Sequence, residues 1–101
     1  MAKGYWIALV EVKNMDGFRN SYVAGLPDVL RKFGGRYVTR GGKTETVEGN
    51  AKSRVVILEF PSYDAAMACY KSPEYAKLIA HRKANADADI IVTEGYDGAQ
   101  P

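Results

Sequence analysis

The stretch GYWIALVEV, residues 4–12, decides how the rest of the chain is read. In an extended chain successive side chains alternate between two faces. Trp6, Ala8, Val10 and Val12 fall on one face, and Tyr5, Ile7, Leu9 and Glu11 on the other. Both faces are largely apolar, and a strand apolar on both faces is covered on both. A fold for this chain must therefore supply two covers for one sheet.

Working outward, Asn14 or Asp16 is a candidate cap for a helix carrying the apolar stripe Phe18, Tyr22, Leu26, Val29 or Leu30, and Phe33. Gly25 and Pro27 fall inside this stretch, and proline's missing amide hydrogen predicts a kink or restart there. Gly34-Gly35 ends the helix. RYVTR, residues 36–40, reads as a short strand, Gly41-Gly42 as a turn or bulge, and KTETVE, residues 43–48, as a further alternating stretch. RVVILEF, residues 54–60, is a buried β-branched run stopped by Pro61. Ser62 caps a helix whose inner side is Ala65, Ala66, Cys69 and Tyr70. Ser72-Pro73-Glu74-Tyr75 repeats the start signal, and Tyr75, Leu78 and Ile79 continue the apolar face. DIIVTE, residues 89–94, is the last strand.

The order is β-α-β-β-α-β, a ferredoxin-like α+β arrangement with helices over one face of an antiparallel sheet. One layer of helices leaves the other face bare, and that face carries Tyr5, Ile7, Leu9, Val55 and Ile57, with Glu11 and Glu59 among them. So much exposed apolar area is a liability for a monomer. The expected remedy is a homodimer, sheet against sheet. The 101 residues suit a single domain, with a core of about 4–95 and a loose tail over 96–101.

The segments KGYWIALVEV, FGGRYVTRGG, VVILEFPS and YKSPEY, in this order and spacing, resemble the domain-of-unknown-function 1330 family. The resemblance runs from about Gly4 to Gly95. It implies a dimeric α/β barrel built from two ferredoxin-like protomers. The wider group includes cofactor-independent monooxygenases, muconolactone isomerases and haem-dependent enzymes. The family itself implies no catalytic residue.

Composition excludes several functions. Fourteen basic and twelve acidic residues leave a net charge of +2, too balanced to call for nucleic acid or an anionic membrane. The split βαβ order also invites an RNA-recognition reading, but RVVILEF offers one aromatic residue and an acid where that module needs an aromatic-rich strand in basic surroundings. Cys69 is the only cysteine, so neither an intrachain disulfide nor a thiolate metal cluster forms. No apolar run reaches membrane-spanning length and the N-terminus lacks a signal peptide's apolar centre, which makes the cytoplasm the default location. RGGKT, residues 40–44, ends as a P-loop does, but Tyr37 stands where its first glycine belongs, and the strand-like TETVE follows where a helix is required.

The candidate site residues each have a plainer alternative. Gly41 and Gly42 let backbone approach a ligand or another chain, and Arg40 beside them, with Arg36 on the same strand face by alternation, can grip a carboxylate. The alternative is a solvated or ion-paired edge of the sheet. Glu59 and Glu11 are candidate proton-transfer groups if they are partly buried, or strand-end carboxylates satisfied by Arg36, Arg40 or Arg54. Tyr5, Trp6 and Tyr70 shape a pocket or fill the core. His81 lies in HRK, where a solvated, cation-rich helix end is the alternative to a role in a cleft. No metal site is expected, since one His without Cys partners supplies too few ligands. Two functions follow. One is a homodimer that binds or transforms a small organic or carboxylic molecule without a dissociable cofactor. The other is a non-catalytic dimeric interaction module.

Overall fold

The computed structural model describes residues 2–101. Strand β1 (Gly4–Val12) lies at the centre of a four-stranded antiparallel sheet. It pairs on one side with β3 (Arg54–Phe60) and on the other with β4 (Ala86–Glu94), and β2 (Arg36–Arg40) adds beyond β3, giving the order β2-β3-β1-β4. The protein is thus the ferredoxin-like α+β fold expected from its element order.

The first helical region is broken as the Gly25 and Pro27 positions predict. It runs as a short α1 (Met15–Gly17), a π-helical turn (Phe18–Tyr22), a 3-10 turn (Val23–Gly25) and α2 (Leu26–Lys32), with Pro27 in the first turn of α2, where its missing N–H costs nothing. Asn14 is the cap, its side chain accepting from the Gly17 amide at 3.1 Å. Gly34 closes the region at φ 75°, and the Gly35 amide donates to the Leu30 carbonyl at 2.8 Å. Helices α3 (Tyr63–Tyr70) and α4 (Pro73–Asn85) are capped by Ser62 and Ser72 as read from the sequence.

Two expectations are corrected. KTETVE forms no strand: residues 41–53 are a loop, and Val47 is 85% exposed. Its alternation sets charges against threonines with a single apolar side chain, and β3 already has a partner on both sides. The last strand begins at Ala86, not Asp89, because Ala86 and Ala88 pair with Val12 and Val10 of β1. The Lys43-Thr44 pair of the P-loop-like stretch lies within the same loop, with no helix after it.

The helices cover one face. Trp6, Ala8 and Val10 of β1 and Leu58 and Phe60 of β3 are buried beneath Phe18, Tyr22, Leu26, Leu30, Ala66, Cys69, Tyr75 and Leu78. Burial of an aliphatic or Phe side chain such as Leu58 or Phe60 contributes roughly 1.5–3 kcal/mol. Trp6 anchors the layer, packing on Phe60, Tyr70 and Tyr75 while its Nε1 donates to the Ala66 carbonyl at 2.9 Å.

Among the described residues none covers the opposite face. Tyr5, Ile7, Leu9, Val55 and Ile57 are half-buried there by their neighbours in the sheet, and Ile91 is 50% exposed. Charges flank this apolar centre. Arg36 and Glu59 stand at one end, and Glu11, Asp87 and Asp89 with Lys13 and Lys52 at the other.

Candidate functional site

Between the sheet and the helices lies a cleft with mainly apolar walls: Trp6, Ala8 and Val10 from β1, Val56 and Leu58 from β3, Ile90 from β4, and Phe18, Tyr22, Val23 and Leu26 from the first helical region. Its enclosed volume is about 30 Å³, the room of one or two water molecules. Three arginines and Tyr37 complete the lining: Arg40 from β2, Arg54 from β3 and Arg82 from α4.

Strand parity puts Arg54 there. Its partner in β1 is Val10, a buried residue of the helix-covered face, so Arg54 leans to the same side as Val56 and Leu58. Arg40 arrives by a different route. The β2–β3 register shifts between Tyr37 and Thr39, so Val38 is the extra residue of a bulge. Arg36 pairs with Glu59 on the uncovered face, whereas Arg40 pairs with Val56 on the helix-covered face. The two arginines that simple alternation puts on one face are thus on opposite faces. Of the turn or bulge expected at Gly41-Gly42, the turn is found: Gly41 leads out of β2 at φ 66°, and a Cβ there would fall 2.6 Å from Nη1 of Arg54. Glycine at 41 leaves the space the Arg54 guanidinium fills.

Helical phase brings in Arg82. Tyr75, Leu78 and Arg82 follow at steps of three and four, one stripe of α4, and all three are buried. Arg82 is 6% exposed, and its Nη1 donates to the Tyr75 hydroxyl at 2.8 Å. The Tyr75 and Tyr22 oxygens are 2.6 Å apart. With Tyr75 accepting from Arg82, the arrangement that gives each buried hydrogen an acceptor has Tyr75 donating to Tyr22. The Tyr22 proton is then left for an acceptor in the cleft that Tyr22 lines. Burial pushes both phenols above their ordinary value. Burial alone would lower the Arg82 guanidinium, but the neighbouring Tyr75 and Tyr22 oxygens more than offset it and raise it.

The cleft cations have no counter-charge. Buried charges are normally paired, because an unpaired one costs several kcal/mol. Among the described residues Arg40, Arg54 and Arg82 form no ion pair. Nε of Arg54 is buried with no hydrogen-bond partner. Aromatic faces supply what contact there is: Arg40 lies 4.5 Å from the Tyr37 ring centroid and Arg54 lies 5.8 Å from that of Phe18.

Of the residues singled out from the sequence, the fold brings Arg40, Gly41 and Trp6 to the cleft. Tyr5, Glu59 and Arg36 form a separate cluster on the uncovered face: the Tyr5 hydroxyl donates to Glu59 Oε2 at 3.1 Å and Arg36 Nη1 to Oε1 at 3.0 Å. Partial burial pushes the Glu59 carboxyl up, yet the hydrogen bonds from Tyr5 and Arg36 and the Arg36 charge outweigh it and hold the group below the usual carboxylate range. The hydrogen bond to Glu59 raises the Tyr5 phenol. Glu11 accepts from the backbone amide and the hydroxyl of Ser53 at 3.1 and 2.7 Å, tying the 41–53 loop to β1. It borders an open groove of about 440 Å³ with Asn50, Lys52 and Asp87. The groove is the larger of the two spaces, but its polar groups are already engaged, Lys52 with Asp89, Asp87 with Lys13 and Glu11 with Ser53. Gly42 has open space beside it, Tyr70 packs against Trp6 and Tyr75, and His81 is exposed on α4. Cys69 is fully buried and burial pushes its thiol up to about 12, so it is an inert part of the core.

Sequence reasoning missed Arg54, Arg82, Tyr22 and Tyr37 as cleft residues. Two carried a readable signal: Arg54 shares the parity of Val56, Leu58 and Phe60, and Arg82 shares the phase of Tyr75 and Leu78.

The fold defines a protein of the ferredoxin-like α+β type. The chain belongs to the family Domain of unknown function (DUF1330), whose model matches residues 3–96. Among solved structures it is similar to RPA0582, a protein of unknown function from Rhodopseudomonas palustris, at 20% identity and a TM-score of 0.76 over 96% of this chain and 85% of that one. It is also similar to SnoaB, a cofactor-independent oxygenase from Streptomyces nogalater, at 13% identity and a TM-score of 0.67 over 100% and 97% of the two chains. A hypothetical Arabidopsis thaliana protein superposes with a TM-score of 0.68 at 8% identity, covering 99% of this chain and 94% of that one. No curated protein matches the chain in sequence. No helix among the described residues is long and apolar enough to cross a membrane.

Proposed function

We propose that the protein is a homodimer, each protomer of which binds a small organic acid in the cleft between sheet and helices. The observation that carries this reading is the set of three guanidinium groups, Arg40, Arg54 and Arg82, in an apolar cleft with no carboxylate to neutralise them. A ligand that brings the anion and an apolar body supplies both missing partners. The uncovered sheet face supports the dimer, with an apolar centre and a charged rim, the anatomy of a protein interface. The likeness to a cofactor-independent oxygenase is compatible with a cleft in which such a molecule is transformed as well as held. The exposed arginine, Arg40, marks the mouth, and the buried one, Arg82, the floor.

The test is a thermal-shift panel of acetate, butyrate and benzoate, each beside its amide. The acids are expected to raise Tm by about 5 °C or more at tenfold above Kd, and the amides to do little. No shift with any acid would defeat the reading. The small enclosed volume, about 30 Å³, is the observation that favours the other reading, a dimeric module without a ligand. That reading predicts an unresponsive Tm together with an intact dimer.

A further inference from the structure

The polar side chains around the cleft are one-sided. Arg40 and Tyr37 come from β2, Arg54 from β3, Tyr22 from the first helical region and Arg82 from α4, where Tyr75 backs it. From β1 and β4 come only Trp6, Ala8, Val10 and Ile90. No Asp, Glu or His lines the space. Guanidinium groups donate and never accept, and the hydrogen-bond chain from Arg82 through Tyr75 leaves Tyr22 as a donor too. Such a site has no base to take a proton from a ligand. It offers hydrogen bonds and positive charge, both of which favour the deprotonated form of whatever acid it holds.

We propose that the cleft takes weak organic acids, phenols and enols as well as carboxylic acids, as their conjugate bases, at pH values where the free acid is still largely neutral. The inference rests on the binding reading above and sharpens it to a ligand class. The ligand's proton leaves to bulk water, since the cleft holds no acceptor for it. The oxyanion sits in the enclosed space near Arg82, Arg54 and Tyr22. That space suits an oxygen-bearing head and not a ring, so the ring lies toward the mouth, beside Arg40 and Tyr37. The low polarity of the walls strengthens each of these hydrogen bonds relative to water. The outer-face arginine offers nothing similar, because Glu59 already neutralises it.

The experiment uses the full chain and 4-nitrophenol, whose phenolate alone absorbs visible light, with 4-nitroanisole as the ring that cannot ionise. Absorbance is followed across pH at saturating protein, and Tm is measured in parallel. The expected result is an ionisation midpoint lowered by about one pH unit or more, a tenfold preference for the anion, with 4-nitroanisole binding at least tenfold more weakly. Arg54→Leu should remove at least half of the displacement. Arg82→Leu should do the same, and Arg54→Leu keeps the test decisive if Arg82→Leu fails to fold. Arg36→Leu, on the outer face, should leave the midpoint displaced. If both compounds raise Tm equally and the midpoint does not move, the anion inference is overturned while ligand binding stands. If neither compound raises Tm, the inference is overturned, and the carboxylic-acid panel decides separately whether the binding reading stands.

Discussion

The two faces of the sheet treat arginine in opposite ways. On the uncovered face Arg36 meets Glu59, Tyr5 joins them, and Lys13 and Lys52 at the far end meet Asp87 and Asp89. Every charge named there finds its opposite within the chain, in a ring around apolar Ile7, Leu9, Ile57 and Ile91. On the helix-covered face Arg40, Arg54 and Arg82 find none among the described residues, although Arg82 is buried and Nε of Arg54 is out of reach of solvent, where the need is greater. Charges held in pairs at a rim can stay in contact with water while the apolar centre they surround is covered. A pocket whose charges are unbalanced is completed by something from outside. This contrast is the ground for the proposal of a second copy on the outer face and a ligand in the inner cleft.

The largest way to break this contrast is a charge at the centre of the outer face. Ile7→Asp should raise the dimer dissociation constant by about 100-fold or more, since an unpaired buried charge costs about 3 kcal/mol or more. Size-exclusion chromatography with light scattering should find the wild type at twice 11.1 kDa and the variant at 11.1 kDa. Val47→Asp, in the exposed loop, should change nothing. A wild type that runs as a monomer sinks the outer-face assignment.

Next in size is the inner hydroxyl network. Tyr75→Phe leaves a buried guanidinium hydrogen without its acceptor and the Tyr22 oxygen without its donor, and should lower stability by about 1–3 kcal/mol in denaturant titration. A loss near zero would mean that water takes over inside the cleft.

On the outer face the corresponding probe is pH. The folded-state pKa of Glu59 lies below that of the unfolded chain, so its stabilisation is complete at neutral pH and is lost as pH falls through the folded value, below the ordinary carboxylate range. Glu74, lowered chiefly by its hydrogen bond from Lys32, acts in the same direction. Glu59→Gln should therefore flatten the acid limb of the stability curve and leave neutral stability little altered, because Arg36 is exposed and solvent screens the pair. A steeper acid limb in the variant would contradict the assignment.

The smallest expected effect is Arg54→Leu without ligand. Its Nε has no hydrogen bond to lose and its charge has no partner to strand, so stability should fall by no more than about 0.5 kcal/mol and is free to rise. A large loss would show Arg54 to be a structural strut and not a receptor.

Most of the architecture was legible because it rests on local chemistry. The alternation in β1, the β-branched run in β3, the serine caps of α3 and α4 and the Gly34 stop each act over a few residues, and each is where the sequence puts it. The family was legible as an ordered set of such segments, now matched over residues 3–96. The site was legible only in pieces. Arg40 and Trp6 were singled out, Arg54 and Arg82 carried a signal of parity and phase that charge alone obscured, and His81 drew notice only for its rarity.

The amino-acid order by itself determined the elements, their sequence along the chain and the two-faced character of β1, since these follow from side-chain periodicity and capping within a window of a few residues. The tertiary structure alone decided which arginine faces which side. One extra residue at Val38 shifts the β2–β3 register and sends Arg36 and Arg40 to opposite faces. A bulge is an event of pairing between two strands, and the pairing energy that selects it is not written in either strand by itself.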